Sequence, residues 1–496
     1  MKILFVAAEA VPFIKTGGLG DVAGSLPKEL KRQGVDVRVI LPKYADIPAR
    51  FREQMIFIRD FDVYVGWRKQ FCAVQELVHD GVTFYFVDNE YYFKRPGIYG
   101  FYDEAERYAY FTRAVLEALP KLDFRPDIIH AHDWHAGMVS VFLNTHYQHI
   151  PFYQNIKTVF TIHNLAYQGI FPAVVLEDIL GLGMDYFTND KLEFNGNVNF
   201  MKGGIIYSDI VTTVSKTYAE EIQRPYFGEN LDGLLRARNN SLYGIVNGID
   251  YNEYDPATDP LIASPYSWRA TRKRQENKLK LQEFLGLPVR RDVPMLAMVS
   301  RLVSAKGLDL IERVLEEILS MDLQLVVLGT GEERYHHLFS WAQSKYPDKV
   351  SANLKFDNTL AHQIYAASDL FLMPSKFEPC GIGQIIAMRY GSLPVVRETG
   401  GLKDTVQPYN EITGEGTGFR FANYNAHELL YTVQRAVGLY ADKKLWHNIM
   451  KNAMLSDYSW RQSVMQYRDL YEQLTVKKDL LLTEQDSAEI LAKEVE

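Results

Sequence analysis

Short runs rich in valine, isoleucine and leucine recur along the chain, each giving way to a longer stretch with helical spacing of its apolar residues. KILFVAAE, VDVRVILP, DIIHAHD, TVFTIHN, DIVTTVS and YGIVNG have the near-continuous apolar character of parallel strands buried on both faces. The first crossover helix is predicted between Gly20 and Gln33. A charged, helix-prone stretch from Ser267 to Leu285 precedes a second series: PMLAMVSR, LQLVVLG, NLKF, LFLMPS, LPVVRE and TGFRFA. Alternating strand and helix implies right-handed crossovers and a parallel sheet in each half. The pattern predicts an α/β protein of two doubly wound domains facing each other across a cleft. In such sheets ligands sit beyond the carboxyl ends of the strands. Near the end, Asp457 to Leu474 reads as a helix suited to a domain junction, and the stretch from Thr483 is acidic and weakly patterned.

Composition changes this picture little. A chain of 496 residues exceeds one hydrophobic core, and 47% hydrophobic with 23% charged residues is ordinary for a globular protein. No apolar run is long enough to cross a bilayer. MKILFVAAEA has some signal-peptide character, but Glu9 interrupts it and a glycine loop follows, so a first strand of a cytoplasmic protein is expected. Two cysteines, Cys72 and Cys380, exclude a disulfide framework and a cysteine-based metal site. A net charge of −8 argues against a nucleic-acid partner. The 31 tyrosines and 27 phenylalanines suit either stacking surfaces for sugars or an aromatic core.

The candidate chemistry lies in the loops between strand and helix. KTGGLGDV (Lys15 to Val22) sets a cation before glycines that let a backbone approach an anion closely, ahead of a helix N-terminus. It contains Gly18-x-Gly20-x-x-Ala23, part of a dinucleotide fingerprint. About ten residues separate it from the strand, however, where that fingerprint needs an immediate turn, and Asp36 falls inside a strand instead of at its end. SRLVSAKG places Arg301 and Lys306 in the matching loop of the second half, where two cations suit a diphosphate. In PSKFEPCGIGQ, Glu378 precedes Cys380, Gly381 and Gly383, so a carboxylate for sugar hydroxyls stands beside exposed amides. ETGGLKD repeats the theme with Gly400 and Gly401.

HAHDWHAG (His130 to Gly137) suggests a metal, but its spacing is not that of HxHxDH hydrolases and no other acidic or histidine cluster completes a site. A hydroxyl-binding Asp133 beside a stacking Trp134 is the reading adopted. FTIHNLAYQGIF ends a strand with His163 and Asn164, and the aromatic stretch from Phe84 to Asp103 offers Tyr99 on a Pro-Gly loop as a sugar platform. Asp60-Phe61-Asp62 has the form of a metal-binding DxD pair and stands apart from these loops.

Taken in order, KTGGLGDV, HAHDWHAG, FTIHNLAYQGIF, SRLVSAKG, PSKFEPCGIGQ and RETGGLKDTV resemble the bacterial glycogen synthases, of the starch synthase-like family of retaining glucosyltransferases. The resemblance runs to about Leu474. It implies two Rossmann-like domains of GT-B type facing a deep cleft, ADP-glucose as donor, the non-reducing end of an α-1,4-glucan as acceptor, and no cofactor or metal. It implies an N-terminal acceptor-side domain over 1–250 and a nucleotide-sugar domain over 251–460. A helix over 461–478 would cross back onto the first domain, and 479–496 would form an acidic tail.

The family pattern gives Lys15, Asp133, His163, Arg301, Lys306 and Glu378 catalytic roles. Gly17, Gly18, Asp21, Asn164, Asn247, Phe356, Cys380, Gly381, Thr399, Gly400 and Gly401 would bind the donor, Phe356 by stacking on adenine. Glu9, Tyr99 and Trp134 would bind the acceptor. Many related transferases carry a second glutamate eight positions after the first; Ile386 stands there, so the ribose must be held differently. The loop residues themselves specify a diphosphate, and adenine over uracil comes from the resemblance alone. Two other readings remain, a nicotinamide-dependent oxidoreductase and a glucan-binding protein without activity. A metallo-hydrolase is a third.

Overall fold

A computed structural model of the protein describes residues 1–475. The chain forms two compact units. The first comprises Met1–Val214, Ala219–Ile245 and the residues from Trp460, and the second comprises Ser215–Tyr218 and Val246–Ser459. Residues 460–475 are helical and belong to the first unit, where Tyr471 is buried with its hydroxyl 2.7 Å from Nδ1 of His130. The rest of the helix expected over 461–478, and the acidic stretch 479–496, lie outside the described residues.

The first unit is built on β1 (Lys2–Val6), β2 (Asp36–Pro42), β3 (Ile56–Val65), β4 (Arg68–His79), β5 (Val82–Asp88), β6 (Ile128–His132), β7 (Lys157–Ile162), β8 (Ile170–Pro172), β9 (Glu193–Phe194), β10 (Asn197–Asn199), β11 (Ile210–Thr213) and β12 (Leu242–Gly244). Its nine-stranded sheet runs β12-β11-β7-β6-β1-β2-β5-β4-β3, and β8, β10 and β9 form a small separate sheet. β1, β6 and β7 are buried almost throughout, as a sheet covered on both faces requires.

The large sheet is mixed, where the strand-helix alternation predicts a parallel one. β4 pairs antiparallel with both β3 and β5. The β4–β5 turn is Asp80-Gly81, with φ of 49° and 79°. Positive φ at both positions is what a two-residue hairpin turn of matching twist demands, so this Asp-Gly pair was a readable hairpin signal.

The second unit carries β13 (Met295–Val299), β14 (Gln324–Leu328), β15 (Val350–Asn353), β16 (Leu370–Met373), β17 (Leu393–Arg397) and β18 (Phe419–Phe421). They form one sheet in the order β15-β14-β13-β16-β17-β18, parallel throughout. The strand expected at NLKF is displaced: β15 ends at Asn353, and Phe356 lies beyond it, 88% exposed.

Candidate active site

In the second unit, loops leaving the carboxyl ends of β13, β16 and β17 carry the candidate residues. After β13, Ser304–Lys306 makes a single tight turn and Gly307, at φ 74°, starts the helix Leu308–Ser320. A Cβ on Gly307 would come within 2.0 Å of the Pro374 carbonyl oxygen, so only glycine lets this loop lie against the one after β16. Lys376 N–H donates to the Ala305 carbonyl at 2.9 Å, joining the same two loops.

That approach brings Lys306 to Glu378. Nζ lies 2.5 Å from Oε2 of Glu378, and Ser375 Oγ donates to the same oxygen at 2.9 Å. Lys306, expected to hold the diphosphate, is ion-paired and only 20% exposed in its side chain, because the neighbouring carboxylate needs a partner where it is buried. Arg301 is exposed, and no described residue pairs with its guanidinium. Cys380, Gly381 and Ile382 donate their backbone N–H groups to no described acceptor, so a carboxylate does stand beside open amides. Burial pushes the Cys380 thiol up to about 12, which leaves it a packing group at neutral pH. Asn247 is buried in the same unit with Oδ1 unpartnered.

The loop after β17 is locked to the one after β16. Gly401 N–H donates to the Glu378 carbonyl at 3.2 Å, Thr399 is fully buried, and Gly400 has φ 43°. A Cβ on Gly401 would stand 2.0 Å from the Cys380 carbonyl oxygen. Gly401→Ala should therefore displace the Glu378 loop and lower stability by about 1–3 kcal/mol. Thermal unfolding beside the parent checks this, and an unchanged midpoint would show that the loops have slack.

In the first unit, the glycine loop is tied to Glu9. The Thr16 and Gly17 N–H groups and the Thr16 hydroxyl donate to its carboxylate. Glu9 is 3% exposed, and burial raises its pKa against those hydrogen bonds. Glu9, expected in acceptor binding, has its carboxylate engaged in holding the loop. Lys15 Nζ lies 2.7 Å from Asp21 Oδ1, so the loop carries its own counter-charge ahead of the helix Gly18–Arg32. Burial raises the Asp21 pKa, and the Lys15 charge opposes that rise.

Asp133 and His163 stand at the carboxyl ends of β6 and β7. Asp133 adopts φ 57°, ψ 177°, a conformation that costs an ordinary residue roughly 1–3 kcal/mol. Its carboxylate accepts the His163 N–H at 2.8 Å and that of Asn164. Burial nonetheless raises its pKa to about 7. Asp133 thus shapes the turn that presents His163. The Asn164 side chain closes its own turn on Ala166 N–H at 3.0 Å. Burial depresses the His163 pKa to about 3, so the ring is neutral, and His132 Nδ1 lies 3.0 Å from its Nε2.

Trp134, expected as an acceptor platform, is largely buried. It is 6% exposed, with Tyr108 edge-on at 5.1 Å and the Gly169 backbone against its ring. Tyr99 has one neighbour stacked on it, His135, at 4.7 Å. Among the described residues no group of three histidine, cysteine or acidic side chains is placed to hold a metal. Asp62 of the DxD pair bonds Lys69 at 2.8 Å on strands β3 and β4. The contribution of Ser375 went unseen in the sequence, where only its place three residues before Glu378 could have pointed to it.

The starch synthase catalytic domain pattern matches residues 2–237, and that of glycosyl transferases group 1 matches residues 283–454. A glycogen synthase of Desulforamulus reducens is 60% identical over 479 residues, covering 97% of this chain and all of that protein. The chain belongs to the glycogen synthase family. A second member, from Geobacillus thermodenitrificans, is 56% identical over 97% of this chain and 99% of its own. The solved catalytic domain of starch synthase IV from Arabidopsis thaliana, bound to ADP and acarbose, matches with a TM-score of 0.88 at 35% identity. That match covers 95% of this chain and 99% of the other. Glycogen synthases are glycosyltransferases, and the activity of this member is glucosyl transfer in glycogen synthesis, from a nucleotide-sugar donor to a glucan acceptor. Its two α/β units have the GT-B fold. No helix among the described residues is long and apolar enough to cross a membrane.

Proposed function

We propose that the donor is ADP-glucose and that glucose passes, with retained configuration, to the non-reducing end of an α-1,4-glucan. The observation that carries the reading is the convergence of Arg301, Lys306, Glu378 and unbonded amides on adjoining loops of the second unit. Cations suit a diphosphate, and a carboxylate suits sugar hydroxyls. The exposed ring of Phe356 offers a face for a purine, and the starch synthase IV relative holds ADP. A cytoplasmic location is part of this reading, and the two free, buried cysteines, which fit a reducing compartment, support it.

Cleavage of the anomeric carbon–oxygen bond builds positive charge on the sugar and negative charge on the departing diphosphate. Arg301 and Lys306 answer the second, and preorganised donors of this kind make some of the greatest contributions to catalysis. Asp133 is committed to backbone N–H groups, so it is poorly placed as a nucleophile. The acceptor hydroxyl then attacks from the face the diphosphate leaves, and the departing phosphate oxygen takes its proton.

A donor panel tests the reading. With glycogen present, ADP-glucose should release ADP and lengthen the glucan much faster than UDP-glucose; the reverse preference would overturn the assignment. Activity should also survive exhaustive chelation, because protein cations are placed to carry the diphosphate charge. Loss of turnover in EDTA, restored by one divalent ion, would refute that expectation.

A further inference from the structure

We propose that Ser375 is a positioning residue for transfer: its hydroxyl joins Lys306 on one carboxylate oxygen of Glu378 and leaves the other aimed at a hydroxyl of the donor sugar. This rests on the reading above, in which Glu378 meets the sugar. Both local donors go to Oε2, Ser375 Oγ at 2.9 Å and Lys306 Nζ at 2.5 Å. No described residue donates to Oε1, yet Oε1 is not among the sealed, unpartnered polar atoms, so the small exposed part of Glu378 includes it. An ionised carboxylate only accepts hydrogen bonds, so what Oε1 can take is a donor such as a sugar hydroxyl.

Lys306 alone would not fix that oxygen, since a long side chain follows a pivoting carboxylate. Ser375 is short, fully buried and itself anchored. Arg397 Nε donates to the Ser375 carbonyl at 2.9 Å, and Arg397 Nη2 donates to the carbonyl of Lys376. Gly401 N–H holds the Glu378 carbonyl. With backbone and hydroxyl both fixed, the carboxylate plane is set before substrate arrives. Such preorganisation matters because an error of about 1 Å in a reacting group can cost around 10²-fold in rate.

The rival account makes Ser375 an ordinary buried hydroxyl satisfied by the nearest acceptor. A double-mutant cycle separates the two, using glycogen and ADP-glucose with Ser375→Ala, Glu378→Ala and the pair. Ser375→Ala should lower kcat by about 10–100-fold, the worth of a hydrogen bond to a charged group, with a smaller change in donor KM. In the Glu378→Ala background the same change should cost less than about twofold, because coupled residues are not additive. Among monodeoxy glucosyl donors, the one whose missing hydroxyl penalises the parent most should lose that penalty in Ser375→Ala. If Ser375→Ala folds poorly, Ser375→Cys keeps the volume with a weaker donor and should show an intermediate loss that again vanishes without Glu378. Equal losses in both backgrounds, or no loss, overturn the role of Ser375 while leaving the function intact. A parent that transfers glucose from no nucleotide donor overturns both.

Discussion

Replacing Lys306 by alanine should lower kcat by about 10²–10³-fold, the usual cost of deleting one preorganised donor at a site of developing charge. The rise in donor KM should be smaller, because the charge the lysine answers grows as the glycosidic bond breaks. The ion pair with Glu378 adds a second consequence. Glu378 is 9% exposed in its side chain, and without Lys306 it keeps, among the described residues, only the Ser375 hydroxyl as a side-chain partner. An unsatisfied buried group costs roughly 1–3 kcal/mol, and more when charged, so the variant should also melt earlier than the parent. The double variant Lys306→Ala, Glu378→Gln removes the stranded charge and should recover much of that stability while regaining no activity. Kinetics well below the midpoint, read beside thermal unfolding, separate the two effects. A kcat within a fewfold of the parent would remove Lys306 from the mechanism.

That pair illustrates what the sequence showed and what it withheld. SRLVSAKG and PSKFEPCGIGQ could be read as anion and sugar loops because glycine before a helix has a local meaning. Their mutual contact could not, because it depends on Gly307 lying under the Pro374 carbonyl across a separation no local pattern spans. The same limit hid Glu9 on Thr16 and Asp133 on His163, where carboxylates that look free in sequence are engaged by backbone N–H groups. The surroundings of Trp134 were hidden differently: an aromatic beside polar residues looks exposed in sequence, and only the packing of Gly169 and Tyr108 shows how far the ring is buried.

At the level of the fold, the buried parallel strands were legible because both faces are covered and the runs are continuously apolar. The β3–β4 hairpin was missed because its strands are exposed over much of their length, Ile56 at 66% and Phe71 at 55%, so no clean alternation marks them. The charged stretch before β13 was recognised as helical, yet its charge concealed a buried face. Arg274, Asn277, Lys278 and Gln282 of the helix Thr271–Phe284 are all 5% exposed or less.

The largest stability effect should come from the group that this polar face encloses. Asp369 is 3% exposed; Lys278 Nζ lies 2.7 Å from its Oδ2 and Arg274 Nη1 lies 3.3 Å from its Oδ1. Met295 N–H donates to Oδ2 at 2.9 Å, which fixes the carboxylate at the start of β13. Burial alone would raise its pKa, but Lys278 and Arg274 outweigh burial and hold it below the usual carboxylate range. Asp369→Ala leaves two buried cations without their anion. Breaking a buried ion pair from one side costs about 3–5 kcal/mol, against about 0.5 kcal/mol or less for a solvated helix face. The sign of the pH dependence follows from the depressed pKa. The stabilisation is complete above the unfolded value of about 3.9 and is lost as pH falls through the lower folded value. The stability gap between the parent and Asp369→Asn should therefore be widest near neutrality and shrink below about pH 4, toward the acid limb. Denaturant unfolding across that range decides the matter: a gap that is small at pH 7, or that widens in acid, would show that Lys278 and Arg274 do not depend on Asp369.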